Sequence, residues 1–216
     1  MTVRLICILI GYILGLFQTS YIIGRMHGID IRDYGSGNAG TTNMLRTMGT
    51  KAGLMTFAGD CLKCVLAVAI VRVVFAKSHE DILPLLSLYG AAGVILGHNF
   101  PFYLGFRGGK GIAATAGLVL SFNPIMAICG IIIFFSIFLT THYVSLGSLL
   151  VYVGILIELP ILGQMGYFHM EQGHLTEMYV VALFLALMAF WKHRENIKRL
   201  LSGTERKTYL LKKNKK

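Results

Sequence analysis

What this chain has least of is charge. Only 14% of its 216 residues are Asp, Glu, Lys or Arg, whereas a soluble domain carries roughly 25% because its surface must hold water. With 55% hydrophobic residues and a mean hydropathy of +0.67, that shortage excludes a soluble globular domain. Acidic residues are the scarcer sign, ten against twenty Lys and Arg, and they form no cluster with His or Cys of the kind that holds a metal. The four cysteines (Cys7, Cys61, Cys64, Cys129) all lie in apolar segments. Cys61-x-x-Cys64 has redox or zinc spacing, but no second Cys or His pair accompanies it, so buried thiols are the expectation. There is no internal repeat and no low-complexity linker, which leaves one domain over 1–203 and a basic tail over 204–216. Val3–Ile23 reads as a retained helix rather than a cleaved leader, since it is long and is followed by Arg25 rather than by a small-residue cleavage site.

Six apolar runs are present instead: Val3–Ile23, Ala52–Phe75, Leu85–Phe106, Ile125–Thr141, Val144–Leu162 and Leu175–Trp191. About 20 apolar residues cross a hydrocarbon core of ~30 Å, so the fold class is an all-α, polytopic transmembrane helical bundle. Ile112–Ser121 is shorter and ends in the turn signal Ser121-Phe122-Asn123-Pro124; it reads as a half-helix packed inside the protein. Counting it gives seven helices, and merging it with its neighbours gives five; seven is the expectation.

Lys and Arg are distributed unevenly between the links. Arg25, Arg32, Arg46 and Lys51 fall in 25–51, Arg107 and Lys110 follow the third span, and ten Lys and Arg against two Glu follow Trp191. The links 76–84 and 163–177 are poor in both. The positive-inside rule places the basic links and the C-terminus in the cytoplasm and the N-terminus outside, which requires an odd number of crossings. The net charge of +10 sits mostly in the juxtamembrane tail, where it meets membrane lipid headgroups rather than nucleic acid.

Two loops on that basic side read as anion sites. In Gly35-Ser-Gly-Asn-Ala-Gly-Thr-Thr-Asn-Met-Leu-Arg46, eight of the first nine residues are Gly, Ser, Thr or Asn. Glycines such as Gly37 let backbone N–H groups turn inward together, Ser36, Asn38 and Asn43 add side-chain donors, and Arg46 adds a bidentate charge suited to phosphate. Gly35-x-Gly37-x-x-Gly40 also matches a dinucleotide fingerprint, which is rejected because no strand precedes it. The second loop is Gly97-His98-Asn99-Phe100-Pro101 with Arg107-Gly108-Gly109-Lys110-Gly111. Lys110 lies just before an apolar run, so a helix start and two cations would cradle a second anion. His98 falls at the end of a span, where an ionisable group serves either structure or function. Asp60 and Lys63 share a helix face and pair. Ser145-Leu-Gly-Ser148 and Trp191-Lys-His193-Arg-Glu-Asn196 form weaker clusters.

In these blocks, taken in order, the chain closely resembles the PlsY family of membrane-integral glycerol-3-phosphate acyltransferases. The resemblance implies transfer of an acyl group from acyl phosphate to the 1-hydroxyl of sn-glycerol 3-phosphate, in the inner membrane of a bacterium, with no metal and no cofactor. It further implies that Ser36, Lys110 and the backbone around Gly37 and Gly109 hold the donor phosphate, joined by Arg107 and Gly108. Arg46, helped by Asn43 and Ser148, would hold glycerol 3-phosphate, with Asn38 and Ser145 beside it and His193 and Asn196 closing the site. Transfer would be direct, the donor's own phosphate taking the hydroxyl proton, with His98 the alternative base. An acyl-phosphate-producing enzyme is the implied partner.

Two other lipid-enzyme classes lack their signatures: none of the seven histidines has Asp five residues later, and there is no Asp-rich helix pair. A transporter or flippase for a phosphorylated solute or lipid remains the alternative, since half-helices aimed at an anion serve transport as well.

Overall fold

The computed structural model describes residues 1–209, and these are helical with no strand among them. The helices are α1 (Thr2–Gly15), α2 (Thr19–Met26), α3 (Thr41–Met48), α4 (Thr50–Phe75), α5 (Leu83–Asn99), α6 (Ile112–Phe122), α7 (Pro124–Thr141), α8 (Val144–Gln164), α9 (Gln172–Lys192) and α10 (Arg194–Leu201). Six segments are long and apolar enough to cross a bilayer: α1 with α2, α4, α5 with its flanking turns, α7, α8 and α9. Helix α6 is the short apolar one. Its 11 residues rise only about 16 Å at 1.5 Å each, half of a ~30 Å core. Asn123 ends it and starts α7, its side chain accepting from the N–H of Ile125 (2.8 Å) and of Met126, with Pro124 as the first helical residue.

Side-chain bonds sort the helix ends onto two faces of the bundle. On one, Arg4 at the start of α1 donates to Glu177 at the start of α9 (2.5 and 2.6 Å), and Tyr89 of α5 donates to the same carboxylate (2.7 Å). Arg72, near the end of α4, donates to the carbonyl of Phe122 at the end of α6 (3.1 Å). The opposite face carries the 31–48 stretch, the 98–111 loop, the α7–α8 turn and residues 193–209. All the polar motifs therefore share one face.

The first span differs from the single helix expected over Val3–Ile23: it breaks between α1 and α2. The buried Gln18 amide donates to Gly15 O (3.1 Å), His98 O (3.2 Å) and Gly97 O (3.3 Å), and Lys63 donates to Phe17 O (2.7 Å). Broken backbone at membrane depth is tolerated only where protein satisfies it in this way. Helix α1 lies unusually close to α5. A Cβ on Gly93 would stand 2.9 Å from Tyr12 N and 3.0 Å from Gly11 Cα, and one on Gly97 would stand 3.0 Å from Gly15 Cα, so only glycine permits the approach. At the other extreme α7 packs chiefly on α6 and α8 and exposes Ile128, Ile132 and Leu139, which is the side chemistry that lipid tails accept. Asp60 and Lys63 pair as expected, at 2.9 Å.

Candidate active site

The site assembles from four stretches far apart in sequence. Lys110, held just before α6 by the left-handed Gly111 (φ 81°), donates to the side-chain oxygen of Asn196 on α10. Asn196 Nδ2 donates to Glu205 Oε1 (2.6 Å), Ser145 Oγ of α8 donates to the same oxygen (2.8 Å), and Arg199 Nε donates to Oε2 (2.7 Å). Glu205 belongs to the segment after α10, which runs back across the site. Thr208 N donates to His142 O (2.9 Å) in the α7–α8 turn. Arg46, at the end of α3, donates through Nη2 to Thr208 Oγ1 (2.6 Å) and Arg206 O (2.9 Å).

The field here is cationic around one buried acid. Burial, and then the charge of Arg199, pushes the Lys110 ammonium down from 10.5 to about 8, with Glu205 opposing. Burial works to raise Glu205, but bonds from Asn196, Ser145 and Arg199 outweigh it and hold the carboxyl below its ordinary range. His193 is buried; its Nδ1 lies 2.8 Å from Ala189 O. Since a carbonyl only accepts, Nδ1 carries the proton and Nε2 is left as an acceptor. Burial and then Lys110 lower His193 to about 4, so it is neutral at ordinary pH. A cradle of cations and amide donors at one end of an apolar bundle fits an anion whose other half is hydrocarbon.

The family described as glycerol-3-phosphate acyltransferase matches residues 5–203. The chain belongs to that family. It is 46% identical over 205 residues to a glycerol-3-phosphate acyltransferase of Clostridioides difficile (strain 630), covering 94% of each chain. It is 38% identical over 203 residues to one of Bacillus subtilis (strain 168), covering 93% of this chain and 95% of that one. The crystal structure of PlsY, an integral membrane glycerol 3-phosphate acyltransferase, in its glycerol 3-phosphate form superposes with a TM-score of 0.83 at 30% identity, over 99% of both chains. Its lysophosphatidic acid form gives 0.79 at 29%, over 96% of both.

In this member of the acyltransferase family the expected site residues divide into two groups. Lys110, Asn196, Ser145 and Arg46 are linked through Glu205 and the 206–208 segment, and the charge of Lys110 reaches His193. Ser148 is buried one turn beyond Ser145, its Oγ on Val144 O (2.7 Å), and Ser36 is exposed at the loop surface. Asn38 is half-buried in the same loop beside Gly40.

Three of the expected sites have their bonding groups engaged within the protein. The Asn43 amide donates to Ile31 O (3.1 Å) and Tyr34 O (3.0 Å) and accepts from Ser36 N (2.8 Å), so it shapes the loop that carries Ser36. The N–H groups of Gly37 and Gly109 are likewise taken, by Tyr34 O (3.0 Å) and His98 O (3.1 Å); the open backbone donors of the second loop are those of the first turn of α6. His98 is buried behind Gly109 with its Nδ1 on Lys63 (2.9 Å). A Cβ on Gly108 would overlap His98 O, while Arg107 is exposed and its guanidinium makes no bond among the described residues.

Glu205, Arg199 and Thr208 were not expected from the sequence. Glu205 is the sole acid in 196–216, and a lone carboxylate in a cationic run is the one signal that pointed to it. The segment 204–209, placed with the basic tail on sequence grounds, lies on the site; 210–216 fall outside the described residues.

Proposed function

We propose that this chain transfers an acyl group from acyl phosphate to the 1-hydroxyl of sn-glycerol 3-phosphate, the first step of phospholipid synthesis. The hydroxyl oxygen attacks the acyl carbon, the bond from that carbon to the phosphate oxygen breaks, and the hydroxyl proton leaves on the departing phosphate. Lysophosphatidate and inorganic phosphate result. The observation that carries this reading is the convergence of Lys110, Asn196, Arg199 and Arg46 at one end of an apolar bundle. A transporter needs its site near the midplane, which this placement does not supply.

Lys110, Ser36 and the first turn of α6 hold the donor phosphate and meet the negative charge that grows on it. Arg46 holds the phosphate of the acceptor. His193, neutral and accepting at Nε2, and Asn196 orient the acceptor glycerol beside the donor carbonyl, and this positioning supplies most of the rate. The site face is cytoplasmic because the basic links lie there, which puts the N-terminus outside. An acyl-phosphate-producing enzyme on the same side of the membrane supplies the donor.

The test is phosphate release by purified protein given palmitoyl phosphate and sn-glycerol 3-phosphate, with palmitoyl-CoA in parallel. Release that needs both substrates and yields lysophosphatidate is expected. Activity with palmitoyl-CoA alone would overturn the donor, and silence of folded protein with both donors would overturn the reaction.

A further inference from the structure

Beneath the second loop lies a polar cluster that the transfer reaction does not use. Asp60 and Lys63 of α4 and His98 of α5 are all buried within the spans. Lys63 Nζ stands 2.7 Å from Phe17 O, 2.9 Å from Asp60 Oδ1 and 2.9 Å from His98 Nδ1, with Gly15 O more distant at 3.4 Å. Thr19 Oγ1 donates to Asp60 Oδ1 (3.0 Å), and Asp60 Oδ2 has no partner among the described residues.

An ammonium has three N–H groups and no lone pair, so His98 Nδ1 must accept from it. The ring proton therefore sits on Nε2. That edge of the ring lies against Gly109, where a Cβ would overlap Nε2 and stand 2.9 Å from Cε1. The main chain of His98 does the same service, its carbonyl accepting from Gly109 N at 3.1 Å. Ala39 O, from the first glycine loop, stands 2.8 Å from that same Gly109 Cβ position. His98 is thus the floor beneath Gly109, the residue before Lys110, where both glycine loops meet.

A purely structural ion pair is a poor reason for two charges in the membrane core. Apolar residues of similar volume usually serve stability as well or better, and intramembrane ionisable groups are costly. The cluster does something an apolar plug cannot: it fixes which ring nitrogen of His98 faces the loop.

We propose that Asp60 and Lys63 are positioning residues for acyl transfer, acting through the Nε2–H tautomer and fixed orientation of His98 to set the Gly108–Lys110 loop. The inference rests on that loop holding the donor phosphate. It predicts a kinetic split: disturbing the cluster changes donor parameters and leaves the acceptor's, because Arg46 is held by other elements.

Two double variants separate the hydrogen bond from the charges. Asp60→Asn with Lys63→Gln keeps an N–H for His98 Nδ1, and its kcat/KM for palmitoyl phosphate stays within threefold of the parent. Asp60→Leu with Lys63→Met removes the donor without leaving an orphan charge; kcat/KM for palmitoyl phosphate falls at least tenfold, while KM for glycerol 3-phosphate stays within twofold and thermal unfolding in detergent is not lowered. His98→Gln, which leaves the Asp60–Lys63 pair intact, gives the same donor-specific loss and stands in if the apolar pair does not fold. Parent-like donor kinetics in His98→Gln, or equal loss for both substrates with a lower unfolding temperature, would overturn the proposal. Lys110→Ala is measured alongside: if it leaves the donor parameters unchanged, the assignment of the loop fails, whatever the cluster does.

Discussion

Lys110 and Asn196 lie 86 residues apart in the chain and meet side chain to side chain, and the amide that accepts the ammonium's hydrogen bond donates its own N–H to Glu205 at 2.6 Å. The link joins the start of α6 to α10, and so ties the 107–111 loop to the segment that follows α10. A cation on a flexible four-carbon stem becomes a fixed one because a neutral amide, itself anchored, receives it. An incoming phosphate displaces an amide oxygen from Lys110 rather than a carboxylate, which leaves the ammonium's charge free to act on the ligand.

Removing that charge removes catalysis and leaves the fold. Lys110→Ala is expected to insert in the membrane normally and to lose transfer by about 10²–10³-fold, the usual loss when one preorganised donor to a developing charge is removed. Phosphate release by the purified variant measures it, and turnover within threefold of the parent refutes the role.

The charge also sets a pH limit. Burial and neighbouring Arg199 bring Lys110 down from 10.5 to about 8, so its ammonium is intact below that pH and is lost as pH rises through it. Binding by free enzyme follows: kcat/KM falls above about pH 8, approaching tenfold per unit. Saturating substrate delays the fall in kcat, because a bound anion raises the lysine again. Lys110→Arg, if it turns over, loses this alkaline limb, since a guanidinium stays charged. His193, lowered to about 4 chiefly by burial, contributes no acid limb down to about pH 5. A parent profile flat to pH 9.5 would sink the assignment.

The spans were legible because the bilayer demands long apolar runs, and the two glycine loops because few folds gather so many small polar residues beside a cation. What sequence could not separate was residues that build a loop from residues that face its ligand. Asn43 and Arg46 share one motif and one helix, yet Asn43 turns inward to three backbone partners while Arg46 turns out. The break after Gly15 was hidden for a related reason: the groups that permit it include Lys63 and the carbonyls of Gly97 and His98, distant in sequence. Glu205 draws Ser145 from 60 residues away, a relationship no local pattern carries.

The α1–α5 seam should be intolerant of any side chain. Gly93→Leu drives carbon into the backbone at Tyr12 and Gly11, where nothing flexible can yield, so more than the usual ~1–3 kcal/mol of an overpacked core is expected. The variant should accumulate poorly and unfold at lower temperature in detergent, whereas Gly173→Leu, at an open position, should not. Similar unfolding temperatures for the two would mean that the helices can separate without loss.

The sharpest prediction concerns Thr208, because its sign is not that of an ordinary site mutation. Arg46 Nη2 is engaged by Thr208 Oγ1 at 2.6 Å and Arg206 O at 2.9 Å, both neutral acceptors on a segment anchored independently by Thr208 N to His142 O. A charged phosphate oxygen accepts from a guanidinium more strongly than a neutral hydroxyl does, so glycerol 3-phosphate takes Arg46 from Thr208. Thr208→Val keeps the volume and the backbone anchor and deletes the competing oxygen. KM for glycerol 3-phosphate should therefore fall about threefold to tenfold, a gain of up to ~1.4 kcal/mol, with kcat unchanged. If KM rises instead, the hydroxyl is not a competitor but the group that aims Arg46 at the phosphate, and the segment after α10 is part of the binding site.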